Sequence, residues 1–222
     1  MLFSCWSAKG GSGTTVVAVA LAVLLGRDAD LGSVLVDLEG DGPTVFGVPQ
    51  PGGPGISDWL AASPAVGAAA LERLERSVAS GVGLIHRGSR SLTGVDRSAI
   101  CVEKLVNDER PIVVDVGRIS GTRDVEDCVR RQFVEGATTS LLVTRPCFLS
   151  LRRALSLPMR PSGVVLIEES GRALGRTDVE DVLGVPVVAT VAVDAAIARA
   201  VDSGLMASRL PSPLGRALRD VA

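Results

Sequence analysis

Lys9, Gly10, Gly11, Ser12, Gly13, Thr14 and Thr15 stand in an unbroken row near the N-terminus. Closely spaced glycines let consecutive backbone N–H groups converge on one anion. A helix beginning there adds unpaired donors and a favourable dipole. Lys9 supplies a full positive charge, and the Thr15 hydroxyl suits a divalent cation such as Mg²⁺. A second set is acidic: Asp37 and Glu39 follow the apolar run 33–36, and Asp115 follows 111–114. Carboxylates at strand ends can hold Mg²⁺ directly or through its waters and can orient an attacking water. The chemistry these residues offer together is the binding of a phosphate with its metal.

Such residues need a scaffold, and the surrounding pattern provides one. Residues 1–6 read as an apolar strand, and residues 16–25 as a helix apolar at nearly every position. Further strands are expected at 33–39, 81–85, 111–117, 139–144, 163–167 and 186–191. Helices are expected at 56–60 (capped by Ser57), 64–77, 96–108, 124–133, 149–157, 178–183, 194–203 and 213–221. The apolar members of 96–108 are Ile100, Val102, Leu105 and Val106. Residues 40–55, rich in glycine and proline, read as a surface loop. Strands apolar on both faces that alternate with helices describe an α/β fold: a mostly parallel sheet with helices on both faces. In such a sheet ligands sit at the carboxyl ends of the strands, where Asp37, Glu39, Asp115 and the glycine loop all fall.

The general phosphate-loop pattern is G-x-x-x-x-G-K-[ST], and here Thr14 stands where the lysine belongs. The row from Lys9 to Thr15 resembles the deviant phosphate loop of the ParA/MinD family of dimeric ATPases, K-G-G-x-G-K-T-[ST]. It matches at Lys9, Gly10, Gly11, Gly13 and Thr15. The resemblance implies a P-loop NTPase fold of the SIMIBI, MinD-like type, with ATP and Mg²⁺ as cofactors. It implies that residues 9–15 bind nucleotide and that Lys9 reaches across a sandwich dimer to the partner's ATP. Thr15, Asp37 and Asp115 would attend the metal, and Glu39 would position the hydrolytic water. Threonine offers a hydroxyl dipole where lysine offers a charge, and a charge-assisted contact is worth about twice a neutral one. The expectation is weakened nucleotide binding and little or no turnover. The family's switch strand is resembled by residues 113–117, but its usual continuation is shortened to Asp115-Val116-Gly117-Arg118.

The second half carries further likeness. Residues 142–146 followed by 150–154 resemble a MinD segment. Residues 171–174, 178–187 and 194–204 are similar to the CpaE/TadZ branch, whose members localise pilus-assembly machinery. That resemblance places Val193 and Asp194 beside the adenine. CpaE-like proteins typically carry an N-terminal receiver-like domain, which this chain, starting on its first strand, is expected to lack.

Composition narrows the partners. The 222 residues, 46% of them hydrophobic, suffice for a single domain spanning 1–222 with a short C-terminal helix. Net charge is -2, which argues against a dedicated nucleic-acid binder. With 3% aromatics and no tyrosine, base stacking is disfavoured. Cys5, Cys101, Cys128 and Cys147 are widely spaced and His86 is the only histidine, so neither a disulfide framework nor a zinc site is expected, and the thiols read as reduced and cytoplasmic. No signal peptide is legible, and 16–25 is too short to span a bilayer. Leu214, Ala217, Leu218 and Val221 share one helix face flanked by Arg216 and Arg219, a geometry that suits peripheral membrane contact, although packing on the domain is favoured. Arg199, Arg209, Arg216 and Arg219 are the candidates for weak non-specific DNA binding. The functions that follow from the resemblance are three: a MinD/CpaE-like homodimer serving a pilus or secretion apparatus through a protein partner, a nucleotide-independent scaffold, or a ParA-like partition ATPase.

Overall fold

The protein is described by a computed structural model covering residues 1–122 and 124–222. Among these residues the strands are β1 (Leu2–Ser7), β2 (Ser33–Asp37), β3 (Arg76–Ala79), β4 (Val82–Ile85), β5 (Ile112–Arg118), β6 (Thr139–Thr144), β7 (Gly163–Glu168) and β8 (Val187–Ala192). The helices are α1 (Thr14–Asp28), α2 (Gly42–Phe46), α3 (Ile56–Leu60), α4 (Val95–Val106), α5 (Val125–Glu135), α6 (Phe148–Ser156), α7 (Arg176–Leu183), α8 (Ala195–Asp202) and α9 (Ser212–Leu218). The strands form one sheet in the order β3-β4-β2-β5-β1-β6-β7-β8. Every pairing is parallel except that of β3 with β4. The expected α/β architecture is the observed one.

The two sheet faces bury separate cores. On one, α1 contributes Val17, Leu21 and their neighbours, joined by Phe46 of α2, Ala200 of α8, and Leu214 and Leu218 of α9. On the other, Trp59 of α3, Leu105 of α4, Phe133 of α5, Leu151 of α6 and Leu183 of α7 pack over Trp6 and Val114. Helix α1 is buried around most of its circumference, which explains why its sequence is apolar without a helical stripe. Trp6, fully buried, donates its indole N–H to Ser140 Oγ at 2.9 Å, tying β1 to β6.

Several expectations needed correction. Residues 64–77 do not form a helix. They make two tight 3₁₀ turns, Ala68–Ala70 and Glu72–Leu74, and then the antiparallel edge strand β3. Leu71 and Leu74, three apart, are the buried members, a spacing that a 3₁₀ turn aligns on one side. The segment 40–55 is not wholly irregular: α2 lies within it, with Pro43 in its first turn and Val45 and Phe46 buried. Gly55, not Ser57, precedes α3 as its cap. Asp58 accepts the Gly55 N–H at 2.9 Å, while Ser57 Oγ accepts from Arg90 N at 3.2 Å. In α4 the buried stripe is Ser98, Cys101, Val102 and Leu105, and Ile100 and Val106 face solvent. The apolar side of α9 is turned inward, with Leu214 and Leu218 both buried, so this helix offers no free apolar face to a membrane. Among the described residues no helix is long and apolar enough to cross one, and all four cysteines are free.

Candidate nucleotide site

Strand β1 ends at Ser7 and α1 begins at Thr14, leaving residues 8–13 as the turn between them. Gly11 and Gly13 have φ of 75° and 85°, a left-handed backbone that side chains resist. Ser12 is buried, and its hydroxyl donates to Lys9 O at 2.7 Å, closing the turn on itself. Gly10 and Gly11 are exposed, with Lys9 and Thr15 half-buried. Thr14 opens α1 with its side chain buried. A glycine turn feeding a helix N-terminus is the geometry that gathers backbone N–H groups around a phosphate.

Two of the three predicted strand-end acids, Asp37 and Asp115, lie beside this turn for a reason of topology. Strand β5 lies between β1 and β2, and the β2–β5 register sets Asp37 directly opposite Asp115. The two carboxylates are fully buried but play different parts. Asp37 Oδ1 accepts from Glu39 N at 2.9 Å and Gly40 N at 2.7 Å, and Oδ2 accepts from Gly42 N at 2.9 Å. It therefore builds the loop into α2 and retains little free acceptor capacity. Asp115 Oδ1 accepts from Gly117 N at 3.2 Å, whereas Oδ2 has no hydrogen-bond partner. Burial, reinforced by the charge of Asp37, pushes the Asp115 carboxyl up to about 8, with the neighbouring Thr15 hydroxyl pulling the other way. Burial also raises Asp37 above the usual carboxylate range, against the pull of its three backbone N–H groups.

An orphaned buried carboxylate oxygen beside a threonine hydroxyl is a donor set that suits Mg²⁺. No group of three or more His, Cys, Asp or Glu residues that could cage a metal occurs among the described residues. An ion here would need oxygens from a phosphate and from water, as Mg²⁺ usually does. Thr15 and Asp115 would hold it, and Asp37 would reach it through a water. The ion would supply positive charge to the phosphate oxygens.

Glu39 lies outside this pair. Its carboxylate is ion-paired with Arg130 Nη1 at 2.8 Å. Arg130, itself buried, also donates to the carbonyls of Val116 and Leu38. Arg87 donates to the same Leu38 carbonyl and pairs with Glu126. Sequence reading passed over both arginines. The signal for Arg130 was its place on the stripe Asp127, Arg130, Val134, all buried in α5. Lys9 lies at the rim near the start of α6. There burial raises the Cys147 thiol, but hydrogen bonding to Ser150 and the charges of Lys9 and Arg172 carry it below its ordinary value.

On the far side of the turn, Val193 and Asp194 border an apolar cavity of about 250 Å³. Gly13 of the turn and Val16 and Val17 of α1 form one wall, and Ile167, Val191, Ile197 and Val201 complete it. Asp194 caps α8 by accepting from Ala196 N at 2.6 Å. The turn, the acid pair and the cavity thus form one continuous row along the carboxyl ends of the strands. Of the four arginines considered for DNA, Arg199 and Arg209 line one recess, and Arg216 and Arg219 are exposed on and just after α9. His86 is buried, its Nδ1 accepting from Gly88 N at 3.2 Å and its Nε2 without a partner.

The fold is found in solved structures. A ParA family ATPase from Chlorobium tepidum TLS superposes with a TM-score of 0.78 at 20% identity, over 99% of this chain and 96% of that one. The fold is that of ParA and MinD. The cell division ATPase MinD of Pyrococcus furiosus gives a TM-score of 0.73 at 22% identity, over 100% and 99% of the two chains. The septum site-determining protein MinD of Pyrococcus horikoshii OT3, solved complexed with Mg-ADP, gives 0.73 at 19%, over 99% and 93%. No protein-family model and no curated protein matches the sequence. At 22% identity or less, the likeness is one of fold.

Proposed function

We propose that this protein is a MinD/CpaE-like dimer-forming factor that binds ATP with Mg²⁺ and turns it over slowly or not at all, in the service of positioning or assembling a surface apparatus. The observation that carries the reading is the continuous row of glycine turn, Asp115 with its orphaned oxygen, and apolar cavity at Val193 and Asp194. Each part suits one part of the nucleotide: backbone donors for phosphate, oxygen ligands for the metal, an apolar slot for the base. Thr14 at the lysine position supports weak turnover, because a phosphoryl transition state leans on fixed positive charge. The hold of Arg130 on Glu39 supports it further, since a carboxylate engaged in an ion pair is poorly placed to orient water. Cargo recognition would then depend on nucleotide occupancy and not on its hydrolysis. A scaffold indifferent to nucleotide is the second reading, favoured by the burial of Thr14.

Calorimetric titration with Mg-ATP, with molecular mass followed in parallel, tests this. Wild type is expected to bind saturably and to shift from monomer to dimer. Thr14→Lys is expected to tighten binding by about tenfold, the value of one charge-assisted contact. No heat and no mass change in either protein rejects nucleotide binding and leaves the scaffold.

A further inference from the structure

The loop, which holds threonine at position 14, has a cation besides Lys9 laid against it. Strand β5 carries one residue more than β1 at their junction: Cys5 is paired with Asp115 but Trp6 with Gly117, so Val116 is left over. Such a bulge bends the strand and re-aims the side chains beyond it. Gly117 takes φ +71°, and any side chain there would run into Glu39 Oε2 and Arg130 Nη1. Beyond it Arg118 falls beside Ser7, the last residue before the glycine turn, and Ile119 N donates to Ser7 O at 2.8 Å. The Arg118 stem therefore runs along the turn, with Cδ 3.8 Å from the position a Cβ would occupy on Gly10.

Arg118 is exposed, and its side chain makes no hydrogen bond or ion pair among the described residues. Two neighbouring arginines are committed, Arg130 to Glu39 and two carbonyls and Arg87 to Leu38 O and Glu126, whereas Arg145 stands 4.0 Å from Glu169 with its Nε unpaired. We propose that Arg118 supplies, from β5 and within the same subunit, the phosphate-binding charge that Thr14 does not. A guanidinium forks two phosphate oxygens where an ammonium contacts them as a point charge. The inference rests on the nucleotide reading above and gives the shortened continuation of the switch strand a purpose: with Arg118 directly after Gly117, the bulge delivers a cation to the loop.

The test is Mg-ATP titration by calorimetry at fixed salt for wild type, Arg118→Ala, Arg118→Lys, Thr14→Lys and the double variant Thr14→Lys/Arg118→Ala, with thermal unfolding of each as a check of folding. Arg118→Ala should weaken binding about 10- to 100-fold, the range for hydrogen bonds to charged groups, and Arg118→Lys by less. Restoring the loop lysine should make Arg118 dispensable, so the double variant should bind at least as well as wild type. A purely structural role for Arg118 predicts no such rescue, and its absence overturns the proposal. If wild type binds and Arg118→Ala binds equally well, the proposal fails while the nucleotide reading stands. If only the Thr14→Lys proteins bind, Arg118 is no substitute and the proposal fails, but the pocket is real. If none binds, both fall.

Discussion

Replacing Asp115 by asparagine should stabilise the protein, and by an amount that grows with pH. Asp115 is fully buried, and burial next to Asp37 lifts its carboxyl from an ordinary 3.8 to about 8. The folded state therefore keeps a proton that the unfolded chain releases, so the stability this group contributes is complete below about pH 3.8 and is lost as pH rises towards 8. Each pH unit across that window is worth about 1.4 kcal/mol. At pH 7 the deficit amounts to about 4 kcal/mol, a large part of the about 5–15 kcal/mol typical of a domain. The amide of Asp115→Asn is close in shape to the neutral carboxyl and retains an acceptor for the Gly117 N–H, so the ionisation of the unfolded chain is the main difference. Urea unfolding followed by circular dichroism at pH 5, 6, 7 and 8, with a chelator present, should show the variant gaining on wild type by about 1.4 kcal/mol per unit up to pH 7 and levelling off above pH 8. The chelator matters because a bound cation inverts the preference by favouring the carboxylate. A variant less stable than wild type at pH 7, or a difference that stays flat with pH, refutes the reasoning.

Two further substitutions probe how the site is held. Arg130→Ala removes the partner of Glu39 and a donor to the Val116 and Leu38 carbonyls. Because Glu39 is partly exposed, the loss should lie near that of a hydrogen bond to a charged group, about 2–3 kcal/mol, read as a lower urea midpoint. Ser140→Ala leaves the indole N–H of Trp6 buried and unpaired. It should cost about 1–3 kcal/mol and change tryptophan fluorescence, and unchanged stability would mean that another acceptor takes up the N–H.

Most of the scaffold was legible because its strands are buried on both faces and so appear as unbroken apolar runs, as in residues 111–114 and 163–167. The glycine turn was legible from its own composition. The carboxylate pair was readable only as two acids at one sheet edge. That Asp37 lies opposite Asp115 depends on strand order and register, which emerge from long-range packing. Residues 64–77 misled because alanine and leucine at helical spacing favour a helix locally, whereas β4 presents an open sheet edge that Arg76–Ala79 occupies instead. The arginines were overlooked because charged residues on helices and strand ends usually face water. The bulge at Val116 leaves no mark in a single sequence apart from Gly117, so the placement of Arg118 could not have been read from it.

The division of labour between the two acids is the strongest physical reason to regard this edge as a cation site. Asp37 is repaid for its burial by three backbone N–H groups, and the same bonds fix the loop that carries Glu39 towards Arg130. Ser12 and Arg130, buried nearby, are also bonded. Asp115 has one bond and an orphaned oxygen, fully buried on a strand between β1 and β2. An unpaired buried carboxyl is a standing cost to stability, and such costs persist where function needs the group. A positive ion is the partner that would remove the cost, and the adjoining glycine turn is where the phosphate accompanying that ion would rest.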